Sequence, residues 1–224
     1  NKGNCCFRRE EYERAKELYL EAIGVEADCV EAIYNLGLVN QRLESPGEAL
    51  QAYEKLQSIV SNSPEVNYQI ANLYRRIDNP KMAMKWYNIL VTRIPSDPKV
   101  LIEMGQLAAE EDDESQALHY YLESYRHYPV NLEAISWLGI YYVKNEIFEK
   151  ALSFFERATQ VQPQEAKWHL MAGSCYRRMG AFQQAYKIYE RVHQDHPDNI
   201  ECLKYLISVC KDLGMEYEGY AKKL

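Results

Sequence analysis

Few side chains in this 224-residue chain stand at spacings that could do chemistry. The six cysteines, Cys5, Cys6, Cys29, Cys175, Cys202 and Cys210, form no Cys-x-x-Cys pair and no zinc-finger spacing. Buried, reduced thiols are therefore expected, not a metal centre or disulfides. His193 and His196 stand three apart, with no carboxylate or cysteine partner at ligand spacing, and read as surface histidines. The acidic run Glu110-Glu111-Asp112-Asp113-Glu114 lacks the ligand-and-glycine pattern of a calcium loop. It fits a solvated turn that puts negative charge at a helix N-terminus. Gly-rich phosphate loops, nucleophile elbows and His-Glu-x-x-His motifs are all missing from the sequence. No catalytic, cofactor-binding or metal-binding residue is expected, and the chain reads as a non-enzyme. What remains is the chemistry of cations and amides, as in Arg75-Arg76 and Arg177-Arg178, and it recurs at a fixed interval.

That interval belongs to the elements that must carry these groups. Stepping 34 residues from Ala151 reaches Ala15, Ala49, Ala83, Ala117 and Ala185 without a miss. An aromatic recurs in the same register at Tyr19, Tyr53, Tyr87, Tyr121, Phe155 and Tyr189. So does a glycine, at Gly3, Gly37, Gly105, Gly139 and Gly173, with Ala71 in the remaining copy. Proline closes four copies at Pro95, Pro129, Pro163 and Pro197, where Ala27 and Ser61 stand in the earlier ones. Two helices approach closely only where facing side chains are small. An aromatic can then plug the gap between pairs, and proline ends the unit. One such hairpin cannot cover its own apolar faces, so copies must stack.

The clearest copy is LEAISWLGIYYVKNEIFEKALSFFERATQVQPQE, residues 132–165. Its order of Leu-Gly, Tyr, then Ala, Phe, Ala and Pro resembles the tetratricopeptide repeat. The resemblance implies an all-α solenoid of antiparallel helix pairs, about thirteen helices in a right-handed superhelix. A single array is expected over residues 1–224. Its repeats fall at about 1–29 (truncated), 30–63, 64–97, 98–131, 132–165, 166–199 and 200–224 (truncated), with no compositional break to place a boundary. Ser45-Pro46-Gly47-Glu48 predicts a capping box and Asn79 an N-cap before Pro80. Both ends break inside a repeat, which reads as a piece of a longer array. Such ends should expose apolar residues at Phe7, Leu18, Leu206 and Leu213 and favour end-to-end self-association.

Composition narrows the partners. With 47% hydrophobic residues a continuous core can form, and a net charge of −7 argues against nucleic acid or an anionic membrane surface. No apolar run approaches the roughly 18 residues of a membrane span, so no membrane insertion is expected. The opening NKGNCCFRREEYERA is charged and does not read as a signal peptide.

The resemblance to the tetratricopeptide repeat also implies a concave face lined by first helices. The second, fifth, ninth, twelfth and thirteenth positions of each repeat are exposed on it. The partner-binding residues read off in this way are Tyr34, Leu38, Arg42, Tyr68, Asn72, Arg75, Arg76, Gln106, Ile140, Lys144, Leu170, Arg177 and Arg178. The thirteenth position is cationic in five of seven copies, at Arg8, Arg42, Arg76, Lys144 and Arg178, with Glu110 and Asp212 the exceptions. One reading is a track for an extended or helical segment with acidic side chains, its backbone held by tyrosine and asparagine. The other is that cations near the end of each first helix merely complement its dipole, by about 0.3–1 kcal/mol each.

Longer stretches are more specific than the repeat. Residues 25–56, VEADCVEAIYNLGLVNQRLESPGEALQAYEKL, carry one of them. Residues 102–206 carry the other, from IEMGQLAAEEDDESQ to IECLKYL. Both resemble the polaris-type tetratricopeptide-repeat subunits of intraflagellar transport complex B. The resemblance implies a scaffold needed for cilium assembly and for transport along the axoneme. It would bind other complex B subunits at the cilium and basal body, in the cytoplasm. Two alternatives stay open: the substrate-recognition module of a larger enzyme, and a chaperone adaptor. The carboxylate clamp of chaperone adaptors pairs lysine at the fifth position with asparagine at the ninth. Here Tyr68 precedes Asn72.

Overall fold

The repeat dictates its own turns. A Cβ built on Gly3, Gly37, Gly139 or Gly173 would fall 2.4–2.7 Å from a ring atom of Tyr19, Tyr53, Phe155 or Tyr189 respectively. The aromatic of each second helix therefore sits directly on the backbone of its first helix, as the spacing predicts. The alanines at the matching crossing, Ala15, Ala49, Ala83, Ala117, Ala151 and Ala185, are all fully buried.

The computed structural model describes residues 2–61 and 63–224. Among them are fourteen helices and no strand. They divide into two compact units, residues 1–107 and 108–224. The first holds α1 (Lys2–Arg8), α2 (Tyr12–Val25), α3 (Val30–Arg42), α4 (Pro46–Ile59), α5 (Pro64–Arg76) and α6 (Pro80–Arg93). The division falls within α7 (Pro98–Glu110). The second unit holds α8 (Glu114–His127), α9 (Leu132–Lys144), α10 (Phe148–Val161), α11 (Ala166–Arg178), α12 (Phe182–Asp195), α13 (Ile200–Leu213) and the short α14 (Glu218–Ala221). Within each unit successive helices pack on one another in chain order. The first unit centres on Ile33, Tyr53, Leu56, Ile70 and Leu73, the second on Leu170, Tyr189, Val192, Leu206 and Val209.

One periodic feature is visible only in three dimensions. Glu10, Glu44, Asp78, Asp112, Glu146, Gly180 and Gly214, each 34 residues from the next, all have φ between +54° and +77°. The following amide donates back to the last turn of the first helix: Ser45 N–H to Asn40 C=O, Asn79 to Tyr74, Ile147 to Tyr142 and Ala181 to Tyr176, each at 2.9 Å. This six-to-one bond around a left-handed residue is a Schellman turn, for which glycine is the usual occupant. Five of the seven positions carry an acid instead.

Several local expectations meet a different outcome. The capping box at Ser45 does not form. The Ser45 hydroxyl donates to Leu43 C=O, and the Glu48 carboxylate is drawn away to the Lys16 ammonium of the preceding repeat. Asn79 does cap, accepting from the Met82 amide at 3.2 Å. In the acidic run, Asp112 takes the left-handed turn and Asp113 the N-cap. The Gln116 amide donates to Asp113 at 3.0 Å and holds its carboxyl below the usual carboxylate range. His193 is not a surface histidine. Residues after α13 fold back, the Tyr220 ring meets the imidazole edge-on at 5.7 Å, and Lys223 Nζ approaches its Nε2 at 3.2 Å, leaving it 9% exposed. The same fold-back helps to bury Leu206, expected to be exposed, in the core cluster against which Tyr220 packs. Phe7, Leu18 and Leu213 are half-buried. The cysteines divide: Cys175, Cys202 and Cys210 are buried, Cys6 and Cys29 half-buried, and Cys5 is exposed, all as free thiols.

Candidate partner-binding face

First helices present one face to their own second helix and another to the first helix of the next repeat. In the first unit, the sixth, ninth, twelfth and thirteenth positions of α3, α5 and α7 converge on a cleft of about 310 Å³. Gln41, Gln69, Asn72, Leu73, Arg75, Arg76 and Glu103 line it. Gln41 Nε2–H donates to Gln69 Oε1 at 3.0 Å, and the Arg75 guanidinium donates to Glu103 at 2.6 Å and Gln106 at 2.8 Å. Four of the expected residues, Asn72, Arg75, Arg76 and Gln106, are thus brought together around one site. Arg75, however, is half-buried and occupied by Glu103, so it braces two helices and does not extend a free cationic column.

The second unit treats its counterpart alike: Arg177 donates to Asp212 at 2.6 Å. The thirteenth position behaves differently. Arg42 and Arg76 are exposed and form no ion pair among the described residues. Lys144 reaches Glu114 only at 4.0 Å, both side chains being largely in water, where a pair contributes about 0–1 kcal/mol. Arg178 is exposed with its guanidinium over the Phe148 ring, 6.0 Å from the centroid.

The remaining expected contacts divide between core and face. Leu170 is 2% exposed and belongs to the core of the second unit, because the fifth position there points at Tyr189 and Cys202 and not at solvent. Tyr34 is half-buried, its ring edge-on to Tyr53 at 5.6 Å. Tyr68 meets Tyr87 in the same way at 6.4 Å, under the Lys99 ammonium. Leu38 is half-buried and Ile140 is 40% exposed.

Asn72 carries a role that spacing did not reveal. It accepts the hydroxyl of Tyr87, the plugging aromatic of its repeat, and Asn4 accepts Tyr19 in the same way at 2.6 Å. Where the plug is Phe155, with no hydroxyl, the ninth position is the apolar Ile140. Where Leu38 holds that position, the Tyr53 hydroxyl is buried without a partner. The Tyr189 hydroxyl, in the copy with Ser174 at the ninth position, is also buried without a partner, so the pairing is made in some copies and not in others.

Two stretches, residues 7–64 and 169–199, match family profiles described as tetratricopeptide repeat. Over these stretches the chain carries tetratricopeptide repeats. Solved structures share the architecture. The C-terminal part of a repeat protein from Cytophaga hutchinsonii superposes with a TM-score of 0.79 at 14% identity, over 99% of this chain and 92% of that one. A MamA structure gives 0.67 at 17% identity, over 75% and 98%. YrrB, described as having an unusual peptide-binding site, gives 0.64 at 18% identity, over 84% and 97%. At these identities the likeness is one of fold. No curated protein sequence matches the chain. Among the described residues, no group of histidine, cysteine and carboxylate side chains could hold a metal ion, and no helix is long and apolar enough to cross a membrane.

Proposed function

We propose that this tetratricopeptide repeat protein is a non-enzymatic scaffold that holds an acidic protein segment along its first-helix faces. We propose further that it serves as a core subunit of intraflagellar transport complex B, at the cilium and basal body. Tetratricopeptide repeats are interaction modules, and the peptide-binding site described for YrrB gives the precedent within the fold. The observation that carries the binding mode is the exposure of Arg42, Arg76 and Arg178 without ion pairs among the described residues, in a chain whose twelfth-position arginines, Arg75 and Arg177, are tied to acids. A dipole effect would act equally on both sets. The ciliary assignment is supported by the resemblance of residues 25–56 and 102–206 to that family.

The test is the triple charge reversal Arg42→Glu, Arg76→Glu and Arg178→Glu. Wild type should capture complex B subunits from ciliated-cell extract, less so as salt rises, since exposed pairs are screened over about 8 Å at physiological ionic strength. The variant should lose capture with its helicity unchanged. Retained capture with a lowered melting temperature would leave only the dipole role. Capture of other proteins without complex B subunits would refute the ciliary assignment.

A further inference from the structure

In the first unit the twelfth position of one first helix faces the sixth of the next, 28 residues on. Gln41 and Gln69 are bonded across that register, and so are Arg75 and Glu103. In the second unit Val143 and Met171 hold the corresponding twelfth and sixth positions of α9 and α11, whereas Arg177 at the next twelfth position bonds Asp212 at the thirteenth of α13. Trp137 and Ile140 stand at the sixth and ninth positions of α9, where α5 has Gln69 and Asn72. Positions that are polar around the first unit's cleft are therefore apolar in the second. Ile140 is 40% exposed, and Trp137, Val143 and Met171 are each only half-buried. The Trp137 indole is held from two sides, stacked on Tyr121 at 4.4 Å and 16° and on Tyr141 at 5.3 Å and 11°. Rigid aromatics of this kind lose little entropy when a partner covers them. Exposed cations, Lys144 of α9 and Arg178 of α11, occupy the thirteenth positions of the same two helices.

We propose that this face of the second unit docks a helical protein segment whose apolar side chains recur at three-to-four-residue spacing and are flanked by acids. The proposal rests on the first-helix faces being the binding surface and names the partner chemistry of one of them. Charge complementarity with Lys144 and Arg178 selects the acids. The choice of helix follows from the ninth positions. An extended segment needs side-chain amides to satisfy its backbone, and α9 and α11 offer Ile140 and Ser174 there, whereas a helix satisfies its own backbone. The first unit, with Gln41, Gln69 and Asn72, is built for polar contacts instead.

The whole chain, immobilised, would be panned against a displayed library of random segments of about twenty residues, long enough for roughly 30 Å of helix. Enriched segments would then be synthesised and titrated against wild type, Ile140→Asp, Ile140→Ser and Arg76→Glu. Ile140 is exposed enough for both of its replacements to fold, which their melting curves would check. Enriched segments should combine spaced apolar residues with acids and gain helicity on binding. They should lose about tenfold or more in affinity on Ile140→Asp and less on Ile140→Ser. Enrichment no stronger on wild type than on Ile140→Asp would overturn the proposal. So would acidic segments without apolar anchors whose binding falls on Arg76→Glu alone, and that result would leave the broader scaffold reading standing. The broader reading fails on different evidence, the survival of complex B capture in the triple arginine reversal.

Discussion

Replacing Tyr53 and Tyr87 each with phenylalanine makes the same chemical change at the same repeat position in the same unit, with opposite expected results. Both rings are fully buried against a small first-helix residue, Gly37 or Ala71. The Tyr87 hydroxyl donates to Asn72, so Tyr87→Phe removes a bond of net worth about 0.5–1.5 kcal/mol and leaves the half-exposed Asn72 carbonyl to water. The Tyr53 hydroxyl has no partner, and burial drives its pKa far upward. An unpartnered buried hydroxyl costs about 1–3 kcal/mol, so Tyr53→Phe should stabilise the unit by about 1 kcal/mol. The chain already uses this solution at Phe155, opposite Ile140. Leu38→Asn should approach the same gain from the other side, by supplying the acceptor that Asn4 and Asn72 supply elsewhere. Urea unfolding followed by far-ultraviolet circular dichroism would read the three variants. The shifts are comparable only if the slope with denaturant is unchanged, since stacked repeats can unfold in more than one step. Destabilisation by Tyr53→Phe equal to that of Tyr87→Phe would refute the reasoning.

Other outcomes follow from the same structure. Glu146 sits at φ +58° and Gly180 at +77° in equivalent turns. Glu146→Gly should therefore cost nothing or stabilise by up to about 1 kcal/mol, while Gly180→Ala should destabilise by about 1 kcal/mol, as read by melting temperature. Ala151→Leu overpacks a fully buried crossing and should cost about 1–3 kcal/mol, with the loss spreading to neighbouring repeats. Burial pushes the Cys175 and Cys202 thiols up to about 11. At pH 8 a thiol reagent should label Cys5 quickly, and Cys175 and Cys202 only after unfolding. Because these folded-state values are raised above their ordinary one near 9, their contribution to stability is complete below that value and declines as pH rises towards 11. Stability that climbs over that interval would contradict the burial.

The repeat was legible because it is enforced at every copy by the same contact. A Cβ at Gly139 would collide with Phe155, and Ala151 has no room for a larger side chain, so both types recur at one period. The turn before each second helix was less legible. Five carboxylate residues occupy a left-handed position that propensity assigns to glycine, and only the column of acids at 10, 44, 78, 112 and 146 hinted at it. The surroundings of the candidate binding residues were not legible in the sequence. Arg75, Arg177 and Asn72 have the chemistry of ligand contacts, but each is engaged by a neighbour distant in the chain. Leu170 belongs to the core.

Sequence alone determined the helical class, the period, and which small and aromatic residues meet inside each hairpin. These depend on contacts between residues about sixteen apart, repeated identically. Tertiary structure decided what depends on how one hairpin meets the next. It decided that Glu103 and Asp212 neutralise two of the arginines while Arg42, Arg76 and Arg178 stay exposed without ion pairs among the described residues. It decided that His193 lies under Tyr220 and Lys223, and that Gln41, Gln69, Arg75 and Glu103 join across neighbouring first helices. The physical reason is that burial and charge pairing are properties of surfaces brought together. A repeat rule specifies which surface each residue occupies, but the residue it meets comes from another copy whose sequence is free to differ.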